Sequence, residues 1–233
     1  MDFETWDPVY GAILTDMGYD RAGDERARDR LAAIVDGAPT ASPPSDAVSE
    51  LTVAIAAPGP TLEASVDRVE AADAVVAAGT AADRLVAVGV EPNWIVTDLD
   101  GHPERVPAFT RSGATVAVHA HGDNQDLVEQ AVPGCDFASL LPTTQAAPVG
   151  PVRNFGGFTD GDRAAFIADH FGAGRLTFPG WKFDDADVDR EKRAKLRWAA
   201  RLLAWLETRR DERFDVLDGV RNRLDTSAIP GLS

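Results

Sequence analysis

Residues 51–62 read LTVAIAAPGPTL, and this stretch decides the fold. Its first seven residues are almost wholly apolar, which predicts a short strand that is covered on both faces. Pro58 and Gly59 then end the strand in a turn, and a helix is predicted over residues 62–68. A strand followed by a turn and a helix is the repeating unit of a parallel sheet.

The same alternation continues along the rest of the chain. Further short apolar strands are predicted at residues 74–78, 94–97, 115–119, 136–141 and 175–178. Helices are predicted at residues 81–88, 103–111, 126–131, 160–170 and 189–209. We therefore predict an α/β fold with a doubly wound, mostly parallel sheet, in which ligands bind beyond the carboxyl ends of the strands.

The first 50 residues do not follow this alternation. They are predicted to be mostly helical, because Ala27, Leu31 and Ile34 fall on one helical face. Residues 38–45, APTASPPS, are rich in proline and serine and cannot continue a helix. The predicted organisation is a helical N-terminal extension over residues 1–50 and an α/β domain over residues 51–233.

Composition excludes several classes of function. The chain has 38 acidic and 23 basic residues, a formal net charge of -15, so nucleic acid is not an expected partner. No apolar run is long enough to span a membrane, and the N-terminus lacks the basic start of a signal peptide. The single cysteine, Cys135, excludes a disulfide framework and a zinc site built from several cysteines. We expect a cytoplasmic protein with no membrane partner.

The basic residues are unevenly divided. Twenty are arginines and only three are lysines, Lys182, Lys192 and Lys195. A large acidic excess is typical of proteins from a halophilic archaeon or a similar cell, where salt screens the self-repulsion of the surface. A GC-rich genome is the alternative explanation, although it accounts for arginine over lysine and not for the net charge.

Two carboxylates follow the predicted strand at residues 94–97. In an extended segment, Asp98 and Asp100 point to the same side and Leu99 points to the other. Two neighbouring carboxylates repel each other unless a cation or a proton lies between them, and Mg²⁺ prefers such oxygen ligands together with substrate phosphates. The alternative is a solvated turn without a ligand.

A second polar cluster, HAHGDN, follows the next strand. His119 and His121 are two residues apart and could bind a transition metal together with Asp123. Asp123 as a further carboxylate of a magnesium or phosphate site is the reading we prefer. Asn124 is also a good N-cap for the helix that follows.

The third cluster is NFGGFTDGDR at residues 154–163. Gly156 and Gly157 allow backbone N–H groups to approach a ligand, and Thr159 or Asp160 can cap the next helix. Arg163 lies in the first turn of that helix, where the helix dipole disfavours a cation unless an anionic ligand is bound there. A glycine-rich turn with a solvated arginine is the alternative.

Taken together, four segments resemble one known family. They are GPTLE (59–63), VTDLDG (96–101), HAHGDNQ (119–125) and NFGGFTDGDRA (154–164), in this order. Over about residues 53–206 the chain resembles the archaeal 6-hydroxymethyl-7,8-dihydropterin pyrophosphokinases, which are related in fold to the Rossmann-like catalytic domain of thiamin pyrophosphokinase. It departs from the family pattern at Pro58, Thr61 and Lys182, where glycine, serine and aspartate are more usual.

The resemblance implies diphosphate transfer from ATP to the hydroxymethyl group of a dihydropterin, with release of AMP, in folate or methanopterin biosynthesis. The catalytic residues would be Asp98, Asp100, Asp123, His119, His121 and Arg163, and Mg²⁺ would be held by Asp98, Asp100 and Asp123. ATP would contact Gly59, Pro60, Thr61, Asn124, Gly156, Gly157, Asp160 and Asp162. The pterin would contact Asn154, Phe155 and Phe158. Either histidine could take the hydroxyl proton or orient the triphosphate.

Three other functions stay open at this point. The wider family that shares the GPTL turn includes sugar transferases, so a nucleotide-sugar glycosyltransferase is one alternative. A thiamin pyrophosphokinase is another, and a non-catalytic nucleotide-binding module is the third. The apolar face of the 189–209 helix fits a core contact or a homo-oligomer contact equally well.

Overall fold

One six-stranded sheet organises the protein. The computed structural model describes residues 1–41, 48–229 and 232. The strands are β1 (Thr52–Ala56), β2 (Ala74–Ala78), β3 (Trp94–Thr97), β4 (Thr115–Ala120), β5 (Leu140–Thr144) and β6 (Arg175–Thr177). Their order in the sheet is β5-β4-β3-β2-β1-β6, and every neighbouring pair is parallel. The predicted α/β fold with a parallel sheet is confirmed.

In the described part of the chain, eight α-helices flank the sheet. They are α1 (Phe3–Met17), α2 (Arg21–Ile34), α3 (Val66–Glu70), α4 (Ala81–Ala87), α5 (Val106–Arg111), α6 (Gln125–Ala131), α7 (Asp160–His170) and α8 (Arg190–Arg210). Because strand side chains alternate between faces, β1 sends Val53 and Ile55 into one core and Ala56 into the other. The first core is closed by α1, α7 and α8, and the second by α2 to α6.

The N-terminal helices are packed into both cores. Trp6 and Ile13 of α1 are fully buried in the first core, and Ala27 and Leu31 of α2 are fully buried in the second. The indole N–H of Trp6 donates to the carbonyl oxygen of Gln145, at the end of β5 (3.0 Å). Residues 1–34 are therefore part of the sheet's two helical layers. Residues 42–45 of the proline- and serine-rich segment lie outside the described residues.

The fifth strand differs from its prediction at residues 136–141. The Asp136 side chain accepts a hydrogen bond from the backbone N–H of Ala138 (3.1 Å), and residues 137–139 form a 3₁₀ turn. A local side-chain bond of this kind competes with strand pairing. The strand therefore starts at Leu140 and runs on to Thr144. Among the described residues, no helix combines the length and apolar character needed to cross a membrane.

Candidate active site

A cleft of about 650 Å³ lies at the carboxyl ends of the strands. Each of the six strands is followed by a residue that lines it: Pro58 after β1, Gly79 after β2, Asp98 after β3, His121 after β4, Gln145 after β5 and Gly180 after β6. The turn between α1 and α2, the start of α7, the segment between β6 and α8, and the start of α8 also line it. A cleft of this size and position fits a small-molecule site in a parallel α/β sheet.

Three carboxylates meet on one side of the cleft. One oxygen each of Asp98, Asp100 and Asp160 lies within 4.8 Å of the other two. Asp160 is the first residue of α7, and it joins the group because its carboxylate faces the backbone N–H of Asp98 (3.4 Å). We call these three residues the carboxylate trio. The sequence interpretation placed Asp123 beside Asp98 and Asp100 and placed Asp160 with the nucleotide. In the structure, Asp160 is the third carboxylate of this group.

A turn, and not an extended segment, brings Asp98 and Asp100 together. Leu99 has a φ of 73°, in the left-handed region, and the backbone N–H of Asp100 donates to Oδ1 of Asp98 (3.2 Å). The prediction of an extended segment was wrong here, although both carboxylates reach the cleft. A leucine in this conformation costs about 1–3 kcal/mol, and the complete burial of its side chain in the second core holds it there.

The electrostatics of the trio suit a divalent cation. Burial and the charge of Asp98 raise the pKa of Asp100, and the same two causes raise the pKa of Asp160 well above its usual value. Burial opposes ionisation of Asp98 as well, but hydrogen bonding from His121 and the charges of His121 and Arg163 hold its pKa below the usual range. A cation between the three would relieve their repulsion, and oxygen ligands of this kind fit Mg²⁺.

The two histidines of the HAHGDN segment have different environments. Nδ1 of His121 lies 2.6 Å from Asp123 and Nε2 lies 3.6 Å from Asp98. Burial lowers the pKa of His121, but hydrogen bonds to Asp123 and Asp98 outweigh it and raise the pKa to about 9. The Asp123 side chain is 89% exposed and lines the cleft beside His121 rather than within the carboxylate trio.

His119 is buried beneath the cleft and does not line it. Its Nδ1 lies 3.0 Å from the hydroxyl of Thr143, and that hydroxyl donates to the carbonyl oxygen of Val118 (3.1 Å). Thr143 therefore accepts from His119, which places the imidazole proton on Nδ1. Burial, reinforced by the charges of Arg163 and His121, lowers the pKa of His119 well below 6.5. His121 is thus the histidine that faces a ligand.

Asn124 holds the ends of two strands together. Its side-chain amide donates to the carbonyl oxygens of Asp98 and His119, both at 2.7 Å, and its oxygen accepts from the backbone N–H of His121 (3.0 Å). Every polar atom of the side chain is occupied in this way. Asn124 positions the site and is not among the residues that line the cleft.

Arg163 anchors the floor of the cleft. Its guanidinium donates to Asp160 Oδ1 and to the carbonyl oxygen of Phe158, both at 2.7 Å. A Cβ on Gly157 would lie 2.4 Å from the Arg163 Cα, so glycine is required there for packing. Asp162 is buried, and its carboxylate closes a capping box with Thr159 at the start of α7. Gly156, Gly157 and Asp162 thus shape the site from behind and do not line the cleft.

The turn after β1 is held against the turn after β6. A Cβ on Gly59 would lie 2.0 Å from the carbonyl oxygen of Gly180, so only glycine fits. The backbone N–H of Ala57 also donates to the carbonyl oxygen of Pro179 (3.1 Å). Gly59 and Pro60 line the cleft, whereas Thr61 does not.

The three residues suggested for pterin binding separate in the structure. Phe158 lines the cleft, with its ring centre 6.3 Å from that of Tyr19. Phe155 packs on His170, with ring centres 4.7 Å apart, away from the cleft lining. The Asn154 amide donates to the carbonyl oxygens of Gln145 and Ala146, both at 2.8 Å, and is also absent from the lining.

Comparison with known proteins connects this cleft to one family. Residues 31–187 match the family described as "6-hydroxymethylpterin diphosphokinase MptE-like". The 6-hydroxymethyl-7,8-dihydropterin pyrophosphokinase of Methanothermobacter thermautotrophicus is 36% identical, over 92% of this chain and 99% of its own. Proteins of the same name from Pyrococcus furiosus and Methanocaldococcus jannaschii are 34% and 30% identical, each over 89% of this chain and 95% and 96% of their own.

The chain belongs to the MptE-like 6-hydroxymethylpterin diphosphokinase family. The resemblance inferred from the four sequence segments is confirmed, and the chain is an enzyme. Matches over most of each chain show that the likeness extends to the whole domain, beyond the short motifs that first indicated it.

Several cleft residues of this MptE-like enzyme were not found from its sequence. Tyr19, Asp24, Gln145, Lys192 and Lys195 all line the cleft. Asp24 is buried and accepts hydrogen bonds from Tyr10, Gln145 and the backbone of Gly122. Nothing in the sequence pattern marks Tyr19 or Gln145, but the rarity of lysine in the chain was a usable signal for Lys192 and Lys195.

Proposed function

We propose that the protein transfers a diphosphate group from ATP to 6-hydroxymethyl-7,8-dihydropterin, giving the pterin diphosphate and AMP. The carboxylate trio in the cleft carries this proposal, because diphosphate transfer from a nucleotide requires oxygen ligands for a divalent cation close to a substrate pocket. The three relatives named for this activity support the choice of a pterin as acceptor.

In this proposal, the diphosphate transfer takes place beside the carboxylate trio. The hydroxymethyl group loses its proton to solvent as its oxygen forms a bond to the β-phosphorus, the bond from that phosphorus to the oxygen bridging the α-phosphorus breaks, and AMP leaves. Mg²⁺ held by Asp98, Asp100 and Asp160 would neutralise charge on the phosphate oxygens. The protein's own contribution is positioning and a fixed electrostatic environment. The acceptor would then bind with its hydroxymethyl group towards the carboxylate trio.

Three cleft residues would serve the acceptor in this proposal. Phe158 and Tyr19 form an aromatic pair at the cleft, and a planar heterocycle stacks well on such rings. His121 lies beside Asp98 and lines the cleft, so in this proposal it would contact the reacting groups of the substrates. Asn154 and Phe155 have no part in this proposal, because neither lines the cleft.

The test is a direct assay of purified protein with ATP, MgCl₂ and the dihydropterin, in buffer that contains molar KCl. AMP and pterin diphosphate are expected in equal amounts, and both should disappear when either MgCl₂ or the pterin is omitted. Thiamin and nucleotide sugars serve as comparison substrates. Product from thiamin or from a nucleotide sugar, with none from the pterin, would contradict the proposal.

A further inference from the structure

All three lysines of the chain line the cleft. Lys182 lies in the segment after β6, and Lys192 and Lys195 lie on the first turns of α8. We call these residues the lysine trio. Of the 20 arginines, in contrast, only Arg26 and Arg163 line the cleft. Arginine is the basic side chain at the other positions of the chain, so the lysines are concentrated at the cleft.

The three lysines are engaged with the rest of the protein to different degrees. Lys192 has no carboxylate within 4.0 Å among the described residues. The ammonium of Lys195 pairs with Glu191 at 3.1 Å and that of Lys182 with Asp185 at 3.7 Å. Arg163 is different, because its guanidinium is held by Asp160 and by a carbonyl oxygen. Lys192 and Lys182 are therefore available to a ligand, as is Arg26, whose guanidinium lies 3.9 Å from Asp20.

The lining of the cleft contains more acidic than basic side chains. Among the described residues, seven aspartates line it together with two arginines, three lysines and His121, and the chain as a whole has a net charge of -15. Lys192 and Lys195 lie three residues apart on one face of α8, and both charges act on Asp100 of the carboxylate trio. A polyphosphate that enters a cleft with this surplus of carboxylates needs neutralisation from such groups.

We propose that the lysine trio binds the polyphosphate of the diphosphate donor. This inference rests on the proposed function for the identity of the donor. Lysine suits the position because its ammonium is a compact charge on a flexible stem, whereas the arginine fork demands one fixed geometry. The ammonium groups follow the phosphate oxygens as one phosphate bond breaks and another forms.

Lys192→Gln is the main test, with Lys195→Gln and the double variant beside it. Each single substitution should raise the KM for ATP about tenfold, as expected for loss of one charge-assisted hydrogen bond. The KM for the pterin should change less than twofold. Lys192→Arg keeps the charge but not the flexible point-charge geometry, so it should recover only part of the loss. Arg197→Gln is the matched control, since Arg197 is exposed on the same helix and does not line the cleft.

Three results would overturn the inference. They are an unchanged KM for ATP in the double variant, an increase in the KM for the pterin alone, and an effect of Arg197→Gln as large as that of Lys192→Gln. Calorimetric titration with inorganic tripolyphosphate and MgCl₂ tests the lysines without turnover. If the wild type binds tripolyphosphate and the double variant binds it at least tenfold more weakly, the lysine assignment stands even when no AMP is formed, and only the proposed function fails.

Discussion

The carboxylate trio and the lysine trio face the same cleft but are built differently. Asp98 and Asp100 follow the central strand β3, and Asp160 opens α7, so backbone and hydrogen bonds fix all three. The lysines lie beyond the last strand, on long side chains that are largely exposed or only half buried. A rigid set of carboxylates suits a cation that demands fixed geometry, and a flexible set of ammonium groups suits a substrate that changes shape.

The largest effect on activity should come from a substitution in the carboxylate trio. Asp98→Asn keeps the size of the side chain and removes its charge, so kcat should fall by at least about a thousandfold while the protein stays folded. Asp123→Asn is the matched control, because Asp123 lies beside His121 and outside the carboxylate trio. We expect it to reduce kcat less than about tenfold. Equal losses in the two variants would show that Asp123 belongs to the cation site after all.

A second variant tests the contact between the turn after β1 and the turn after β6. Gly59→Ala forces a Cβ against the carbonyl oxygen of Gly180, just before Lys182, and should lower the free energy of unfolding by about 2–3 kcal/mol. Gly219→Ala is the control, since a Cβ there meets nothing within 4 Å. Denaturant unfolding measures both. A Gly59→Ala variant as stable as the wild type would mean that the two turns separate freely.

Cation binding should distinguish the two trios without any substrate. Added MgCl₂ is expected to raise the melting temperature of the wild type, because a ligand that binds only the folded state stabilises it. The rise should be lost in Asp98→Asn and kept in Lys192→Gln. Thermal unfolding followed by fluorescence measures the melting temperature of each protein with and without MgCl₂. A rise that survives in Asp98→Asn but is lost in Asp160→Asn would place the cation nearer to α7.

The smallest effect concerns His119, which is buried beneath the cleft, and the pH dependence of stability. Because burial lowers the pKa of His119, the unfolded chain binds a proton below about pH 6.5 that the folded protein does not. Stability therefore falls as the pH drops through this range, by up to about 1.4 kcal/mol per pH unit. His119→Asn keeps a donor for Thr143 and should make the slope shallower. Equal slopes in the wild type and the variant would contradict the buried neutral imidazole.

The sequence indicated the carboxylate side far better than the lysine side. Residues 74–78 and 94–97 were predicted as strands and form β2 and β3 with those limits, so Asp98 and Asp100 were found from their position alone. Asp160 was missed as their partner because the distance between the end of β3 and the start of α7 is a property of the folded chain. The start of β5 was misplaced because a single side chain, Asp136, turns the backbone before the strand.

The lysines and Tyr19 show the limit of arguing from strand ends. Their positions depend on how α8 and the turn between α1 and α2 fold over the rim, and no periodic pattern encodes that. Composition was the one signal available for the lysines. The N-terminal helices, predicted as an extension, supply part of the cleft lining and bury Trp6 against the end of β5.

The place of β6 in the sheet has a consequence for synthesis of the protein. Strands β1 to β5 pair in the order in which they leave the ribosome, but β6 pairs with β1 only after more than a hundred further residues have been made. Until then the outer edge of β1 is unpaired, and an apolar strand with a free edge invites pairing with another chain. Nascent chains that stall before Arg175 should therefore aggregate or require a chaperone, whereas chains released after α8 should not.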